Sequence, residues 1–139
     1  MGLLAVQKAK RDADALAYID PELAEEHRQK GNALFKEGKY PLALKEYDEG
    51  LKRHPGAVAI YSNRCATYIK LVEFATALKD ADKCLELDKN FLKAYSRKGT
   101  CHHFMKEYHK ALKAFEDGLK LDATNKECLE GRQKTMTTI

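Results

Sequence analysis

Residues 30–47, KGNALFKEGKYPLALKEY, decide the fold, because two later stretches of the chain repeat their pattern. RCATYIKLVEFATALKDA occupies 64–81 and KGTCHHFMKEYHKALKAF occupies 98–115, so the three stretches begin thirty-four residues apart. A basic residue, a small residue, an aromatic residue and an Ala-Leu-Lys triplet return in the same places. A period of this length is typical of repeated helical hairpins, each of which buries its apolar side against its neighbours.

The recurrent residues are those that two closely crossing helices require. A small residue returns in the first helix of each unit, and an Ala-Leu pair returns in the second. These positions hold Gly31, Cys65 and Gly99, then Ala43-Leu44, Ala77-Leu78 and Ala111-Leu112. A small side chain is needed where two backbones approach, and bulky residues fill the space beside it. The aromatic position of the second helix holds Tyr47, Ala81 and Phe115, of which only Ala81 departs from the pattern.

Turn and capping residues predict where the helices begin and end. Asp20-Pro21 is typical of a helix start, Gly38 of a helix end, and Pro55-Gly56 of the end of the first unit. The predicted helices span about 22–37, 41–53, 58–71, 75–87, 92–105 and 109–121. A further solvating helix at about 126–137 is expected to cap the last hairpin, with Cys128, Leu129 and Met136 packing inward.

The chain therefore divides into an N-terminal segment and one repeat domain. Residues 1–20 are expected to form a linker. This linker is either helical or a frayed N-terminal tail. Residues 21–139 form the predicted domain, with repeats at about 24–57, 58–91 and 92–125. A chain of 139 residues that is 44% hydrophobic has material for one modest core.

Composition excludes several classes of function. The 25 basic and 21 acidic residues leave a net charge of +4, which is too small and too scattered to indicate nucleic-acid binding. No apolar run reaches the roughly eighteen residues that a membrane-spanning helix needs. The four cysteines show no Cys-x-x-Cys pair and no regular metal-ligand spacing, so we expect reduced thiols, no metal and a cytoplasmic protein.

The residues that can carry function lie on the first helix of each hairpin, which lines the concave side of such a stack. Those expected not to pack into the core are Arg28, Asn32, Lys36, Asn63, Ala66, Lys70, Lys93, Arg97 and Thr100. All the charged members are basic, so the stripe indicates a site for an anion. Phe35, His103 and Phe104 are also expected to reach the groove, where they could contact an apolar side chain of a peptide.

These residues resemble those of the carboxylate-clamp class of tetratricopeptide repeat domains. That class has a Lys and an Asn four residues apart, then an Asn, then a Lys and an Arg four apart. This chain offers Arg28 and Asn32, then Asn63, then Lys93 and Arg97. Four positions match by identity, whereas Arg28 stands in place of the Lys and keeps only its charge.

The resemblance implies an all-α right-handed superhelix of three hairpins and a C-terminal solvating helix, with a concave peptide groove. It also implies a co-chaperone module that grips the C-terminal Glu-Glu-Val-Asp tails of heat-shock protein 70 and heat-shock protein 90. From about Ala17 to Thr135 the chain is most similar to the third such domain in the family of heat-shock organising co-chaperones. The isolated domain is expected to be monomeric and to need no cofactor.

Other classes of function are less well supported by the sequence. An enzyme would need a phosphate-binding loop or a converging nucleophile and base, and the sequence contains neither pattern. A basic RNA-binding repeat would present aromatics for base stacking, but most aromatics here occupy packing positions. The clamp domain of another co-chaperone, such as an immunophilin or a phosphatase, remains an alternative.

Overall fold

A computed structural model describes residues 2–139 of the chain, which form eight α-helices. They are α1 Leu3–Tyr18, α2 Pro21–Lys36, α3 Tyr40–Arg53, α4 Val58–Lys70, α5 Phe74–Leu87, α6 Leu92–Phe104, α7 Tyr108–Leu121 and α8 Lys126–Thr138. The predicted all-α fold is confirmed, and each predicted repeat helix agrees with the structure within one residue at either end. None of the helices in residues 2–139 is both long and apolar enough to cross a membrane.

The helices pair as three hairpins that stack in chain order. Helix α2 packs on α3, α4 on α5, and α6 on α7, while α3–α4 and α5–α6 contacts join successive hairpins. Helix α4 also touches both α2 and α6, so the first helices of the hairpins lie side by side along one surface. Helix α8 closes the end of the stack against α6 and α7.

The turn inside each hairpin uses the same backbone conformation. Gly38, Val72 and Lys106 occupy equivalent places in the three units and all have a positive φ, between 62° and 76°. In the first unit the Gly38 amide donates to the Phe35 carbonyl at 3.0 Å, and the same bond recurs in the other two units. This left-handed residue ends the first helix and satisfies its last carbonyls, although only the first unit uses glycine for it.

The small residues of the repeat are where large rings pack against a helix backbone. A Cβ atom added to Gly31 would lie 2.5 Å from the Tyr47 ring, and one added to Gly99 would lie 2.4 Å from the Phe115 ring. A Cβ atom on Gly131 of α8 would also lie 2.4 Å from the Phe115 ring. Phe115 is therefore held between two glycines on different helices.

Helix α8 buries a different face from the one we predicted. Cys128 is buried as expected, but its inward partner is Thr135, while Leu129 and Met136 are 37% and 56% exposed. Residues 128 and 135 are seven apart and share one face of a helix. Leu129 and Met136 each lie one residue further on, about 100° around the helix, so the prediction was wrong for these two residues.

Among the described residues of helix α1, the last one, Tyr18, makes side-chain contacts with the domain. The Tyr18 ring lies under the Arg53 guanidinium, 3.4 Å from its Cζ, and the Tyr18 hydroxyl bonds Glu49. The apolar side chains of Leu3 and Leu4 are more than 70% exposed. The division into a linker at 1–20 and a domain from 21 stays a prediction, and its first residue, Met1, lies outside the described residues.

The packing of Phe115 predicts that Gly99→Ala and Gly131→Ala each destabilise the domain by about 1–3 kcal/mol, because the ring cannot move away from one helix without meeting the other. Gly56→Ala is the control, since its Cβ atom would lie 3.9 Å from the nearest heavy atom, in the His54 ring. Urea unfolding of the three variants measures the difference. Equal stability of Gly99→Ala and Gly56→Ala would contradict the packing.

Candidate functional site

The five residues predicted to form a clamp lie on the three helices that line the concave surface. Arg28 and Asn32 are one turn apart on α2, Asn63 is on α4, and Lys93 and Arg97 are one turn apart on α6. Because α4 contacts both neighbours, it places its asparagine between the residues of α2 and those of α6.

Asn32 is the centre of a hydrogen-bond network that joins two of the predicted residues. One end of its side-chain amide lies 2.6 Å from the Tyr47 hydroxyl oxygen and 2.9 Å from Asn63 Nδ2. This arrangement brings the two asparagines into direct contact across the first two repeats.

The Arg28 guanidinium contacts both Glu25, on its own helix, and Asn32. Its Nε and Nη2 donate to the two Glu25 carboxylate oxygens at 2.8 and 2.5 Å. Its remaining nitrogen, Nη1, lies 3.2 Å from the other end of the Asn32 amide. The hydrogen bonds favour the amide orientation in which the Asn32 oxygen accepts from Arg28 Nη1, while its NH₂ group donates to the Tyr47 hydroxyl and the Arg28 carbonyl oxygen.

The Glu25 carboxylate holds Arg28 in place without removing its charge. The hydrogen bond from Arg28 lowers the pKa of Glu25 to about 2, so both groups are ionised at neutral pH. Glu25 occupies one edge of the guanidinium fork, and the other edge faces Asn32. Glu25 is exposed and Arg28 is half-buried, so solvent weakens the attraction within this pair.

Arg97 and Lys93 differ in how the protein holds them. Arg97 is half-buried, and its Nη1 donates to the Ser62 carbonyl oxygen at 2.6 Å and also to the Ser62 hydroxyl. The expectation that Arg97 does not pack was therefore wrong, because its guanidinium links α6 to buried Ser62 of α4. Lys93 is exposed, and its ammonium group forms no ion pair within the described part of the chain.

A pocket of about 180 Å³ opens beside the two asparagines. It is lined by Asn32, Phe35, Lys36, Tyr47, Asn63 and Ala66, and none of these six residues is acidic. Burial raises the pKa of the Tyr47 phenol, while the positive charges of Arg28 and Arg97 act to lower it. Cations from the first and third repeats therefore both act on the floor of this pocket, which is an environment suited to an anion.

Three of the other predicted contact residues, Thr100, His103 and Phe104, line a second pocket of about 460 Å³ between α6 and α8. Its lining residues are Thr100, His103, Phe104, Phe115, Glu127, Glu130, Gly131 and Lys134. His103 is fixed there by a hydrogen bond between its Nδ1 and Thr135 Oγ1 at 2.9 Å, and Phe104 stacks on Phe74. Helix α8 adds two carboxylates to this end of the surface, which the pattern of the first helices did not indicate. Lys70 is exposed near the end of α4 and lines neither pocket.

Two residues of the site escaped the sequence analysis. Tyr47 was placed among packing aromatics, and Ser62 was not singled out, although both bond a predicted clamp residue. A signal for Tyr47 was present, because its hydroxyl is the feature that distinguishes it from Phe115 at the equivalent position. Ser62 carried no comparable signal.

Comparison with curated proteins finds relatives that match almost the whole chain. It is 50% identical over 133 residues to Hsp70-Hsp90 organizing protein 3 of Arabidopsis thaliana, which covers 96% of this chain and 24% of the relative. It is 48% identical over 126 residues to stress-induced-phosphoprotein 1 of Caenorhabditis elegans, covering 91% of this chain and 39% of the relative. The chain thus spans well under half the length of these relatives.

Solved structures and a family model agree with this result. The TPR2AB domain of yeast Sti1 in its pHSP90 complex superposes with a TM-score of 0.88 at 36% identity, over 96% of this chain and 54% of the other. The TPR2B domain of yeast Sti1 in its pHsp70 complex gives 0.81 at 35% identity, over 85% of this chain and 99% of the other. A tetratricopeptide repeat model matches residues 92–125. Because it forms three stacked hairpins and matches these relatives, the chain belongs to the tetratricopeptide repeat family.

Proposed function

We propose that this domain is a peptide-binding module that grips the free C-terminus of chaperone tails ending in Glu-Glu-Val-Asp. The partners would be heat-shock protein 70, heat-shock protein 90, or both. The residues proposed to hold the terminal carboxylates are Arg28, Asn32, Asn63, Lys93 and Arg97. The observation that carries the proposal is the pocket at Asn32 and Asn63, which has no acidic lining residue and receives positive charge from two repeats.

The chemistry of a C-terminal aspartate matches the donors in this pocket. Such a residue has two carboxylates, which together accept several charge-assisted hydrogen bonds. A carboxylate oxygen placed beside Asn32 can accept from Arg28 Nη1, which lies 3.2 Å from the Asn32 amide. Lys93 and Arg97, on the opposite helix of the groove, supply the cations for the second carboxylate.

The remaining groove residues are proposed to contact the peptide upstream of its terminus. Phe35, Lys36 and Ala66 line the first pocket, and Thr100, His103 and Phe104 line the second. The half-exposed Phe104 ring offers an apolar surface to a peptide side chain. Lys70 would act only through its charge, because it lines neither pocket.

The relatives support a role as one part of an adaptor. Two Sti1 domains of similar structure are named for complexes with pHSP90 and pHsp70, and curated relatives are named as Hsp70-Hsp90 organizing proteins. We propose that this domain serves such a chaperone-organising adaptor in the cytoplasm as a binding module and not as an enzyme. The four cysteines, all buried and unpaired, are consistent with that reducing compartment.

The proposed function can be tested through the free carboxylate of the peptide. A peptide ending in Glu-Glu-Val-Asp should bind, and the same peptide with an amidated C-terminus should bind at least tenfold more weakly, because charge-assisted hydrogen bonds are lost. Isothermal titration calorimetry with both peptides, for each chaperone tail, measures the difference and also ranks the two tails. Equal affinity for acid and amide would exclude the clamp.

Lys93→Ala and Arg97→Ala are expected to weaken peptide binding alike but to differ in their effect on the stability of the domain. Each should cost about 1.5–3 kcal/mol of peptide binding, since each removes a charged donor. Only Arg97→Ala should also lower the unfolding free energy, by about 1–2 kcal/mol, because it leaves Ser62 without its partner on α6. Calorimetry and urea unfolding of both variants test this, and unchanged stability of Arg97→Ala would show that the link to Ser62 is dispensable.

Arg28 can be tested through its partner Glu25. Arg28→Ala should weaken peptide binding and flatten its dependence on salt, whereas Arg28→Lys should retain most of the affinity. Glu25→Gln is the matched variant, because it removes the ion pair but keeps the cation, and it should bind the anionic tail at least as well as the native domain. Titrations at low and high salt distinguish this role from a purely structural Arg28–Glu25 pair, for which Arg28→Ala would leave binding unchanged.

A further inference from the structure

We infer that the groove between α5 and α7 is a second binding site, which accepts an acidic side chain of a protein partner. Helix α6 forms the floor of this groove, because it contacts both α5 and α7 and lines the cavity between them. The cavity has a volume of about 520 Å³, larger than the pocket beside the two asparagines. None of the five proposed clamp residues lines it, so this site is separate from the proposed peptide site.

The preceding groove of the same chain shows how an acidic side chain fills such a space. There, between α3 and α5, Arg64 of α4 is held by carboxylates on both sides. Asp48 of α3 accepts from its guanidinium at 3.0 Å, and Asp80 of α5 accepts twice, at 2.7 and 2.9 Å. Asp80 is only 4% exposed, so its carboxylate is enclosed beside the guanidinium. The protein itself thus supplies the acidic group that occupies this first groove.

The groove between α5 and α7 lacks one of these two carboxylates. Lys98 lies thirty-four residues after Arg64 and forms the equivalent ion pair with Asp82, at 2.9 Å. The residue equivalent to Asp80 is Ala114 of α7, which has no acceptor in its side chain. The Lys98 ammonium has three donors but no second acidic partner among residues 2–139. Since Lys98 and Ala114 both line the cavity, it is open where the preceding groove holds the Asp80 carboxylate.

The other polar groups around the cavity also favour an acidic ligand. Its lining includes three lysines and two histidines against two aspartates, and both Asp82 and Asp117 are already paired with lining lysines. His102 is 6% exposed, and its Nδ1 lies 3.2 Å from a Glu107 carboxylate oxygen. Its Nε2 has no hydrogen-bond partner in the described part of the chain. In the protonated ring this nitrogen donates, so a carboxylate in the cavity would supply the missing partner.

The lining of the cavity favours a protein side chain over a free anion. Leu78 and Ala114 place apolar surface beside the charged groups. The methylene groups of an aspartate or glutamate side chain would cover this surface while the carboxylate meets Lys98. A small inorganic anion would leave the apolar surface in contact with water.

The test is Ala114→Asp, because this substitution gives the groove the carboxylate that Asp80 supplies in the preceding one. The probe is hexaglutamate with an acetylated N-terminus and an amidated C-terminus, titrated into the full chain and followed by backbone amide NMR. In the native protein we expect saturable shift changes centred on Lys98, His102 and Lys113. Ala114→Asp should weaken the affinity about tenfold, because its carboxylate occupies Lys98 and repels the probe.

Ala123→Asp is the matched control, because it adds the same charge at an exposed position outside the cavity lining. It should change the affinity for hexaglutamate much less than Ala114→Asp does. Lys98→Gln is the second variant, which tests the site if Ala114→Asp does not fold. It should also weaken the affinity about tenfold, since it removes the cation that the ligand meets.

Several results would overturn the inference: no saturable shift changes, changes confined to the concave residues around Asn63 and Arg97, or native affinity in Lys98→Gln. Inorganic phosphate that moves the same amide signals as tightly as hexaglutamate would also overturn it, because the groove would then bind a small anion. The proposed function is tested separately, since hexaglutamate with an amidated end has no free terminal carboxylate and neither Lys98 nor Ala114 is a proposed clamp residue.

Discussion

The close approach of two helices at a glycine is the contact on which the rest of this domain depends. Tyr47 and Phe115 can lie against α2 and α6 only because Gly31 and Gly99 have no side chain. This contact sets how closely each hairpin packs, and the stacking of hairpins then places α2, α4 and α6 along one surface. The concave surface is thus a consequence of how closely these helices pack. A change in that packing would alter the distances between the proposed clamp residues without replacing any of them.

The same contact couples the core to the site. The Tyr47 ring packs against α2 at Gly31, while its hydroxyl reaches Asn32, the next residue of that helix. Arg97 makes a similar connection on the other side, where it bonds Ser62 of α4. Asn32 and Arg97 are therefore held in place by the protein itself, which would lower the entropy cost of the proposed binding. Lys93 remains exposed, so it contributes charge rather than fixed geometry.

The charges on this surface differ between its Arg28 end and its α8 end. The Glu25 carboxylate engages one edge of the Arg28 guanidinium, and the other edge faces Asn32. Of the two pockets on the concave surface, only the second is lined by carboxylates, those of Glu127 and Glu130 of α8. A bound peptide would thus have its terminus at the basic end and its upstream residues near an environment of mixed charge. Discrimination between tails that share one terminus would then depend on the upstream residues.

The sequence by itself determined the local features of this protein. The repeat, the small residues and the turn signals predicted the helices within one residue, because each depends on neighbours in the chain or one helical turn away. The spacing of four also placed Arg28 with Asn32, and Lys93 with Arg97. Only the tertiary structure decided that Asn63 meets Asn32, that Arg97 bonds Ser62, and that α8 buries Thr135 and not Leu129. These contacts join residues on different helices, and the rotation of one helix against another is set by packing that no local pattern records.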